Sequence, residues 1–240
     1  MTLALAIICH DGLLMVSDSQ ATEQTTGDLI RDIRFPTQKI FPLGQSVLWA
    51  GSGYSGLIQR IKYRLDQIDP SEIVKPISSL RTTLRRTIVE TIKELIQISI
   101  LPQNQPNPFE SEYLFCGQCN NDAWILEVLW NGKDTEYQER GFHAIGSGKI
   151  FAQVVFSMLL HHKVRNCELG QAKVLAYRVV DSAIEVAAAG IGGPVQMWLI
   201  QQGRTLCLDG SELAQIRDTV GLWKQTEVET LQGLFGMPGQ

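Results

Sequence analysis

The chain lacks the features that would assign it to the membrane, secreted or nucleic-acid-binding classes of protein. Its 240 residues contain no run of about 18 uncharged apolar residues, the length that a membrane-spanning helix requires. No basic segment precedes the first apolar stretch, and Asp11 and Asp18 interrupt that stretch, so we expect no signal peptide. A net charge of −4 offers no basic face to a nucleic acid. We expect a cytoplasmic protein that binds neither membrane nor nucleic acid.

Cysteine is scarce and shows no disulfide pattern. The five cysteines are an odd number without close spacing, which suits a reducing cytoplasm. Cys116 and Cys119 form a C-x-x-C pair, which occurs in redox and metal sites, but no second pair and no histidine at metal spacing accompanies it. Apolar residues before the pair and Asn120-Asn121-Asp122 after it favour a strand end that runs into a turn. We expect no metal and no organic cofactor.

The composition that is present is that of an ordinary globular protein. Apolar residues make up 44% of the chain and charged residues 19%, which is typical of a folded domain. No internal repeat and no low-complexity linker divides the sequence, and a chain of this length can bury a sizeable core. We therefore predict a single domain over residues 1–240.

Hydrophobic periodicity predicts strands and helices in alternating blocks. Apolar runs joined by Asp11-Gly12 predict a hairpin with a type I′ turn, and the polar residues 20–38 predict a loop. The other predicted strands are 39–43, 46–53, 111–116, 123–130, 135–145, 195–201 and 205–208. The predicted helices are 54–68, 77–100, 148–163, 169–189 and 211 to about 223. Strands followed by paired helices, twice over, predict two sheets between helical layers and exclude a doubly wound parallel sheet.

Thr2, at the start of the first predicted strand, is a candidate nucleophile. Methionine aminopeptidases remove an initiator Met that precedes a small residue, and removal of Met1 would give Thr2 a free α-amine beside its hydroxyl. An α-amine has a reference pKa of about 7.7–8.0, so it is partly neutral at physiological pH and can accept the hydroxyl proton. A hydroxyl needs such an adjacent base to act as a nucleophile. The alternative is that Thr2 is only a good strand former.

Four further residues accompany Thr2 at places where a site could form. Asp18 ends the second strand of the predicted hairpin, and Lys39 begins the next predicted strand. Gly51 and Ser147 lie in the glycine-rich turns AGSG and IGSG, each before a predicted helix, where backbone N–H groups can face an oxyanion. Each residue also has a purely structural interpretation, as a turn cap for Asp18, a solvated strand end for Lys39 and a helix cap for Ser147.

Together these motifs resemble the proteasome β-subunit family, among the N-terminal-nucleophile hydrolases and of the bacterial proteasome-related type. The resemblance covers nearly the whole chain, and the segments that carry it are DGLLMVSDSQAT, KIFPL, AGSG, IGSG and GGPVQMWLI. It implies an α+β fold, specifically a four-layer αββα sandwich. It also implies a threonine-type peptidase that cleaves peptides or unfolded proteins within a homo-oligomeric ring, and it leaves an unfoldase partner open.

The resemblance also implies a role for each site residue. Thr2 would be the nucleophile, with its own amine as proton acceptor. Lys39 would lower the pKa of the attacking group, and Asp18 would hold that lysine and balance its charge. The Gly51 N–H would form the oxyanion hole, and Ser147 would donate a hydrogen bond near the amine.

The sequence departs from the family pattern in two places. The loop before the third strand is longer than usual, so strict counting puts Arg34 at the lysine position, whereas the strand register favours Lys39. In addition, Ala188 and Ile191 stand where the family often has an Asp-x-x-Ser pair, and Glu185 is the nearest acid that could substitute. The departure at Ala188 and Ile191 favours one alternative, a weakly active or inactive structural subunit. A small-molecule amidase on the same fold is a further alternative, which a long insertion would favour.

The need for a free amine predicts that Met1 is absent from the active form. Intact-mass analysis of the purified protein should give the mass of a chain that begins at Thr2. A preparation that keeps Met1 and still cleaves peptides would contradict this mechanism.

Overall fold

A computed structural model describes residues 2–24, 32–99, 107–119, 122–160, 167–186 and 190–236. Over these residues the chain forms a mixed α/β fold with three sheets and six helices. The strands are β1 (Ala4–Cys9), β2 (Gly12–Ser17), β3 (Gln20–Gln24), β4 (Asp32–Pro36), β5 (Ile40–Leu43), β6 (Val47–Ser52), β7 (Glu112–Cys119), β8 (Asp122–Leu129), β9 (Asp134–Glu136), β10 (Phe142–Ile145), β11 (Gln196–Gln201) and β12 (Arg204–Cys207). The helices are α1 (Ser55–Leu65), α2 (Pro70–Ile73), α3 (Ile77–Ile98), α4 (Lys149–Leu160), α5 (Leu169–Val186) and α6 (Gly210–Phe235). None of the described helices is long and apolar enough to cross a membrane.

Two five-stranded antiparallel sheets carry most of the strands. The first sheet has the order β10-β1-β2-β11-β12 and the second has the order β5-β6-β7-β8-β9, while β3 and β4 form a separate hairpin. In the first sheet Ala4 lies opposite Ser17, which places the start of β1 beside the end of β2. The chain between β2 and β5 therefore leaves the first sheet close to Thr2 and enters the second.

The alternation of side chains along the strands separates three apolar clusters. Leu3 and Leu5 face a cluster shared with α4, α5 and α6, whereas Ala4 and Ala6 face a middle cluster that β6, β7 and β8 of the second sheet also line. A third cluster joins the other face of the second sheet to α1, α2 and α3. Each sheet is thus apolar on both faces, as a sheet covered on both sides must be.

The predicted helices at 54–68, 77–100, 148–163 and 169–189 are confirmed as α1, α3, α4 and α5, although residues 161–166 and 187–189 lie outside the described part of the chain. The last helix does not stop near 223 but continues to Phe235. Its start is fixed by a capping box, in which the Asp209 carboxylate accepts from two backbone N–H groups and Glu212 accepts from the Asp209 N–H. Helix α2 was not predicted, because a helix of only four residues is too short to show a hydrophobic period.

Three strand predictions need correction. The first hairpin turns at His10-Asp11, one residue before the predicted position, because Cys9 pairs with Gly12. Residues 20–38, predicted as a loop, contain the hairpin β3–β4, although residues 25–31 lie outside the described part. The predicted strand 135–145 divides into β9 and β10, which belong to different sheets, because a turn that ends at Gly141, with φ of +77°, separates them.

The C-x-x-C pair lies on a strand, as its surroundings predicted. Cys116 is buried within β7 and Cys119 ends that strand, and both thiols are free. Among the described residues, no group of three His, Cys, Asp or Glu side chains is placed to hold a metal ion. The extent of the single domain over residues 1–240 stays a prediction.

Candidate active site

The Asp18 carboxylate is the centre of the candidate site. Its side chain is fully buried just after β2. One oxygen accepts a hydrogen bond from the Leu3 N–H at 2.9 Å, and the other accepts from the N–H groups of Gln20 and Gly192 at 3.2 and 3.3 Å. Lys39 Nζ lies 2.8 and 2.9 Å from the two oxygens. Asp18 therefore accepts hydrogen bonds from three separate segments, which are the N-terminal strand, the segment before β11 and the start of β5.

Lys39 is held at both its backbone and its side chain. It immediately precedes β5, and its N–H donates to Gln196 Oε1 at 3.0 Å, while Gln196 Nε2 donates to the Thr37 carbonyl at 2.7 Å. Gln196 belongs to β11, so a side chain of the first sheet fixes the lysine that precedes a strand of the second. Burial lowers the pKa of Lys39, and the charge and hydrogen bonds of Asp18 oppose that shift without cancelling it.

Thr2 lies directly before the residue that Asp18 binds. Its side chain is 7% exposed, and its carbonyl accepts a hydrogen bond from the Gly148 N–H at 3.3 Å. The turn that contains Gly146 packs against this carbonyl, and Gly146 has φ of +89°. A Cβ added at Gly146 would lie 2.1 Å from the Thr2 oxygen, so only glycine fits there. The IGSG motif therefore serves close packing on Thr2.

The Gly51 amide faces Lys39. The Gln118 N–H donates to the Ser46 carbonyl at 3.1 Å, so alternate residues of β6 counted from Ser46 bond to β7. Gly51 is not one of these residues, so its N–H points away from β7 and toward β5. Ile40, the first residue of β5, lies opposite Ala50 of β6. When this pairing is extended by one residue, Gly51 lies opposite Lys39, which directly precedes β5.

Two other residues singled out in the sequence, Ser147 and Arg34, are exposed. Ser147 lies on the turn that follows β10 and is exposed. Arg34 lies on β4, where its side chain is exposed, and not in the polar loop that was predicted. Lys39, and not Arg34, is the cation that pairs with Asp18. The strand register thus predicted the cation that pairs with Asp18, whereas strict counting did not; a catalytic role for Lys39 stays a prediction.

Ile191, one of the two residues that stand at the missing polar pair, is packed among apolar side chains. Ile191 is buried in the cluster that contains Leu3, and its Cδ1 lies 2.6 Å from where a Cβ on Gly148 would stand. Ala188 lies outside the described residues. Glu185, considered from the sequence as a substitute, is 59% exposed and pairs with Lys224 of α6 at 2.6 Å. Glu185 therefore belongs to the contact between α5 and α6.

Gln196 is the site residue that sequence reasoning missed. It lies inside the GGPVQMWLI segment, where it begins β11 between the apolar residues Val195 and Met197. A polar residue at that position is a weak signal, since its two partners are Thr37 and Lys39, more than 150 residues earlier in the chain.

Solved structures of two Anbu proteins share this fold. An Anbu (ancestral beta-subunit) from Yersinia bercovieri superposes with a TM-score of 0.69 at 20% identity, covering 99% of this chain and 98% of that one. An Anbu (Gly-1) mutant from Hyphomicrobium sp. strain MC1 superposes with a TM-score of 0.66 at 17% identity, covering 100% of this chain and 99% of that one. No family model and no curated protein matches the sequence.

These comparisons correct the family assignment made from the motifs. These two solved structures are Anbu proteins, a group distinct from the proteasome β-subunits, so assignment to the proteasome β-subunit family is wrong. The short motifs could not separate the two, because they describe a strand–turn framework around Thr2 rather than features of one family. At identities of 20% and 17% the likeness establishes the fold alone.

The lowered pKa of Lys39 predicts a specific pH dependence of stability. Between the lowered value and the ordinary 10.5, the unfolded chain binds more protons at this residue than the folded chain does. The free energy of unfolding therefore gains a contribution that rises with pH through this window. The difference in unfolding free energy between the wild type and Lys39→Met should rise with pH in denaturant titrations.

Lys62→Met is the matched control, because Lys62 forms an exposed ion pair with Asp66 on α1. Its difference from the wild type should stay flat over the same pH range. A Lys39→Met difference that falls with pH would mean that Asp18 raises the pKa of Lys39 more than burial lowers it.

Proposed function

We propose that this chain is an amide hydrolase that uses Thr2 as an N-terminal nucleophile and cleaves peptides or unfolded proteins. The observation that carries the proposal is the buried Asp18–Lys39 pair, which the Leu3 N–H joins to the residue directly after Thr2. Two solved structures that share the fold are Anbu proteins, one of them named an ancestral beta-subunit, which supports a proteasome-like subunit.

The proposed reaction begins at the Thr2 hydroxyl once Met1 has been removed. The α-amine accepts the hydroxyl proton while Oγ1 attacks the substrate carbonyl. The Gly51 N–H, which points toward the Lys39 side of β6, donates to the developing oxyanion; one such donor contributes about 10²–10³ in kcat. Collapse of the tetrahedral intermediate breaks the C–N bond, and the amine leaves with the proton. Water, deprotonated by the same α-amine, then hydrolyses the Thr2 ester.

Lys39 favours the negatively polarised Thr2 oxygen through its charge. A cation within a few ångströms of a hydroxyl lowers the free energy of the oxyanion more than that of the neutral group. Asp18 keeps this cation in a buried position that desolvation would otherwise disfavour. In this scheme Asp18 orients Lys39 and the Leu3 amide, and it does not touch the substrate.

The three apolar clusters support the finer description of the fold. One cluster lies between the first sheet and α4–α6, one between the two sheets, and one between the second sheet and α1–α3. This order corresponds to a four-layer αββα sandwich of the N-terminal-nucleophile hydrolase type. In such a sandwich the proposed nucleophile stands at the open end between the two sheets.

The second candidate is a structural subunit with little or no activity. Ile191 favours it, because an apolar side chain at this place offers the α-amine no hydrogen bond. The Asp18–Lys39 pair favours the hydrolase, because a buried ion pair is usually no more stabilising than apolar residues of the same size. Stability alone therefore gives little reason to keep it.

Three variants test the hydrolase. Thr2→Ala should abolish peptide hydrolysis and prevent covalent labelling by a β-lactone, with the fold retained, since it removes one short side chain. Lys39→Ala should lower kcat by at least about a hundredfold, the range seen when one electrostatic stabiliser of a developing charge is removed. Lys39→Arg should not restore it, because the planar guanidinium differs in size and shape from the ammonium that fits the buried place beside Asp18.

Arg34→Ala is the control, because Arg34 is exposed on β4, and it should hydrolyse peptides like the wild type. Unchanged turnover in Thr2→Ala would rule out this mechanism, and a wild type that is folded and inactive would favour the structural subunit.

We propose further that the chain assembles into a homo-oligomeric ring. Large apolar side chains are exposed on two helices, among them Ile150 and Val154 on α4 and Leu231, Leu234 and Phe235 on α6. Exposed apolar surface of this kind commonly marks a protein interface. Light scattering at micromolar concentration should give a mass several times that of the 26.7 kDa chain. A monomer would contradict the ring; an unfoldase partner stays a prediction from the motifs.

A further inference from the structure

One carboxylate of the second sheet is bonded to the turn that packs on Thr2. Glu112 begins β7 and lies opposite Ser52 of β6. Its Oε2 accepts a hydrogen bond from the Gly146 N–H at 2.7 Å, and its Oε1 pairs with Lys149, the first residue of α4. Gly146 follows directly on β10 of the first sheet. Glu112 therefore connects the two sheets at the N-terminal end of β1.

The turn has little freedom to move relative to Thr2. A Cβ at Gly146 would lie 2.1 Å from the Thr2 carbonyl oxygen and 3.2 Å from Ser52 Oγ. The Gly148 N–H donates to the same carbonyl at 3.3 Å. A shift of the turn must therefore move the Thr2 carbonyl or break its contact with Gly148.

The position of this turn matters because the proposed catalytic groups come from both sheets. Thr2 and Asp18 flank strands of the first sheet, whereas Lys39 precedes the edge strand β5 of the second sheet and Gly51 lies on the neighbouring strand β6. The separation between nucleophile and oxyanion donor thus depends on contacts that cross between the sheets. An error of about 1 Å in such a separation can cost about a hundredfold in rate.

We propose that Glu112 is a positioning residue, which sets Thr2 against the Gly51 amide through its hydrogen bond to Gly146. This inference rests on the proposed function. In this proposal Glu112 acts on Thr2 through the turn, by its hydrogen bond to the Gly146 N–H. The hydrogen bond to Gly146 carries the effect, whereas the partly exposed ion pair with Lys149 contributes little to the orientation of the carboxylate.

Three variants separate the hydrogen bond from the charge. Glu112→Ala removes both and should lower kcat about tenfold or more, with KM changed little, because a misplaced nucleophile slows the chemistry without removing substrate contacts. Glu112→Gln keeps an oxygen that can accept from Gly146 and should restore kcat to within about threefold of wild type, since a neutral acceptor is the weaker one. Lys149→Met keeps the Gly146 bond and should also stay within about threefold.

Asp134→Ala is the matched control for a general loss of stability. Asp134 is a carboxylate of β9 in the same sheet, and it pairs with Arg81 of α3 on the side of the sheet that packs against the helices. Its removal should lower the thermal midpoint of unfolding as Glu112→Ala does, with kcat unchanged. An equal loss of kcat in Asp134→Ala, or in Glu112→Gln and Glu112→Ala alike, would overturn the proposal.

Amide hydrogen exchange gives a second readout that needs no turnover. In Glu112→Ala the Gly146 and Leu3 amides should exchange faster than in the wild type, whereas Glu112→Gln and Asp134→Ala should leave them protected. If the wild type neither hydrolyses peptides nor takes up a β-lactone at Thr2, the proposed function fails, and faster exchange still supports the link from Glu112 to the turn. Unchanged exchange in Glu112→Ala overturns the link whether or not the wild type is active.

Discussion

The buried carboxylate of Asp18 fixes the geometry on which the candidate site depends. Two oxygens accept from three backbone N–H groups and one ammonium, and these donors belong to segments far apart in the chain. Removing one partner of such a buried pair costs about 3–5 kcal/mol, because the remaining charge is left without compensation. The same arrangement that holds Lys39 therefore also holds Leu3 and Gly192. Any change at Asp18 alters the start of β1, the lysine and the segment before β11 together.

A site assembled across two sheets needs contacts that fix one sheet against the other. The apolar layer between the sheets sets their spacing, but hydrophobic burial is not directional and does not fix a sliding displacement. Three polar contacts around the site are directional. They are the Asp18–Lys39 pair, the Gln196 amide bonded to the backbone of Thr37 and Lys39, and the Glu112 carboxylate bonded to the turn after β10. Each joins a residue of one sheet to a segment of the other.

The sequence predicted the helices and the central strands well because long stretches of it have a clear hydrophobic period. It favoured Lys39 over Arg34 as the partner of Asp18 because the backbone of a residue that directly precedes a buried strand is held in place by that strand. It did not predict where strands end or change sheet. β9 and β10 are short, and only pairing with distant strands assigns them to different sheets. Gln196 was missed for the same reason, since no local pattern marks a side chain whose partners are distant in sequence. The family was wrong because the motifs report the framework around Thr2, which different families share.

The apolar Ile191, which stands where the family often has a polar residue, affects the protonated form of the proposed base. Hydrogen bonds to an ammonium favour its charged form, and apolar surroundings disfavour it. Ile191 packs against Gly148 and shares a cluster with Leu3, so this side of the N-terminal strand offers apolar surface. In the proposed mechanism, an α-amine freed at Thr2 beside such a surface has fewer hydrogen-bond acceptors to hold its protonated form. The proposed base is needed as the free amine for the first step, whereas a firmly oriented ammonium is needed only after it has taken the proton. The departure at Ile191 therefore weakens the orientation of the amine without removing its basicity, which leaves the positioning of Thr2 to the turn that Glu112 holds.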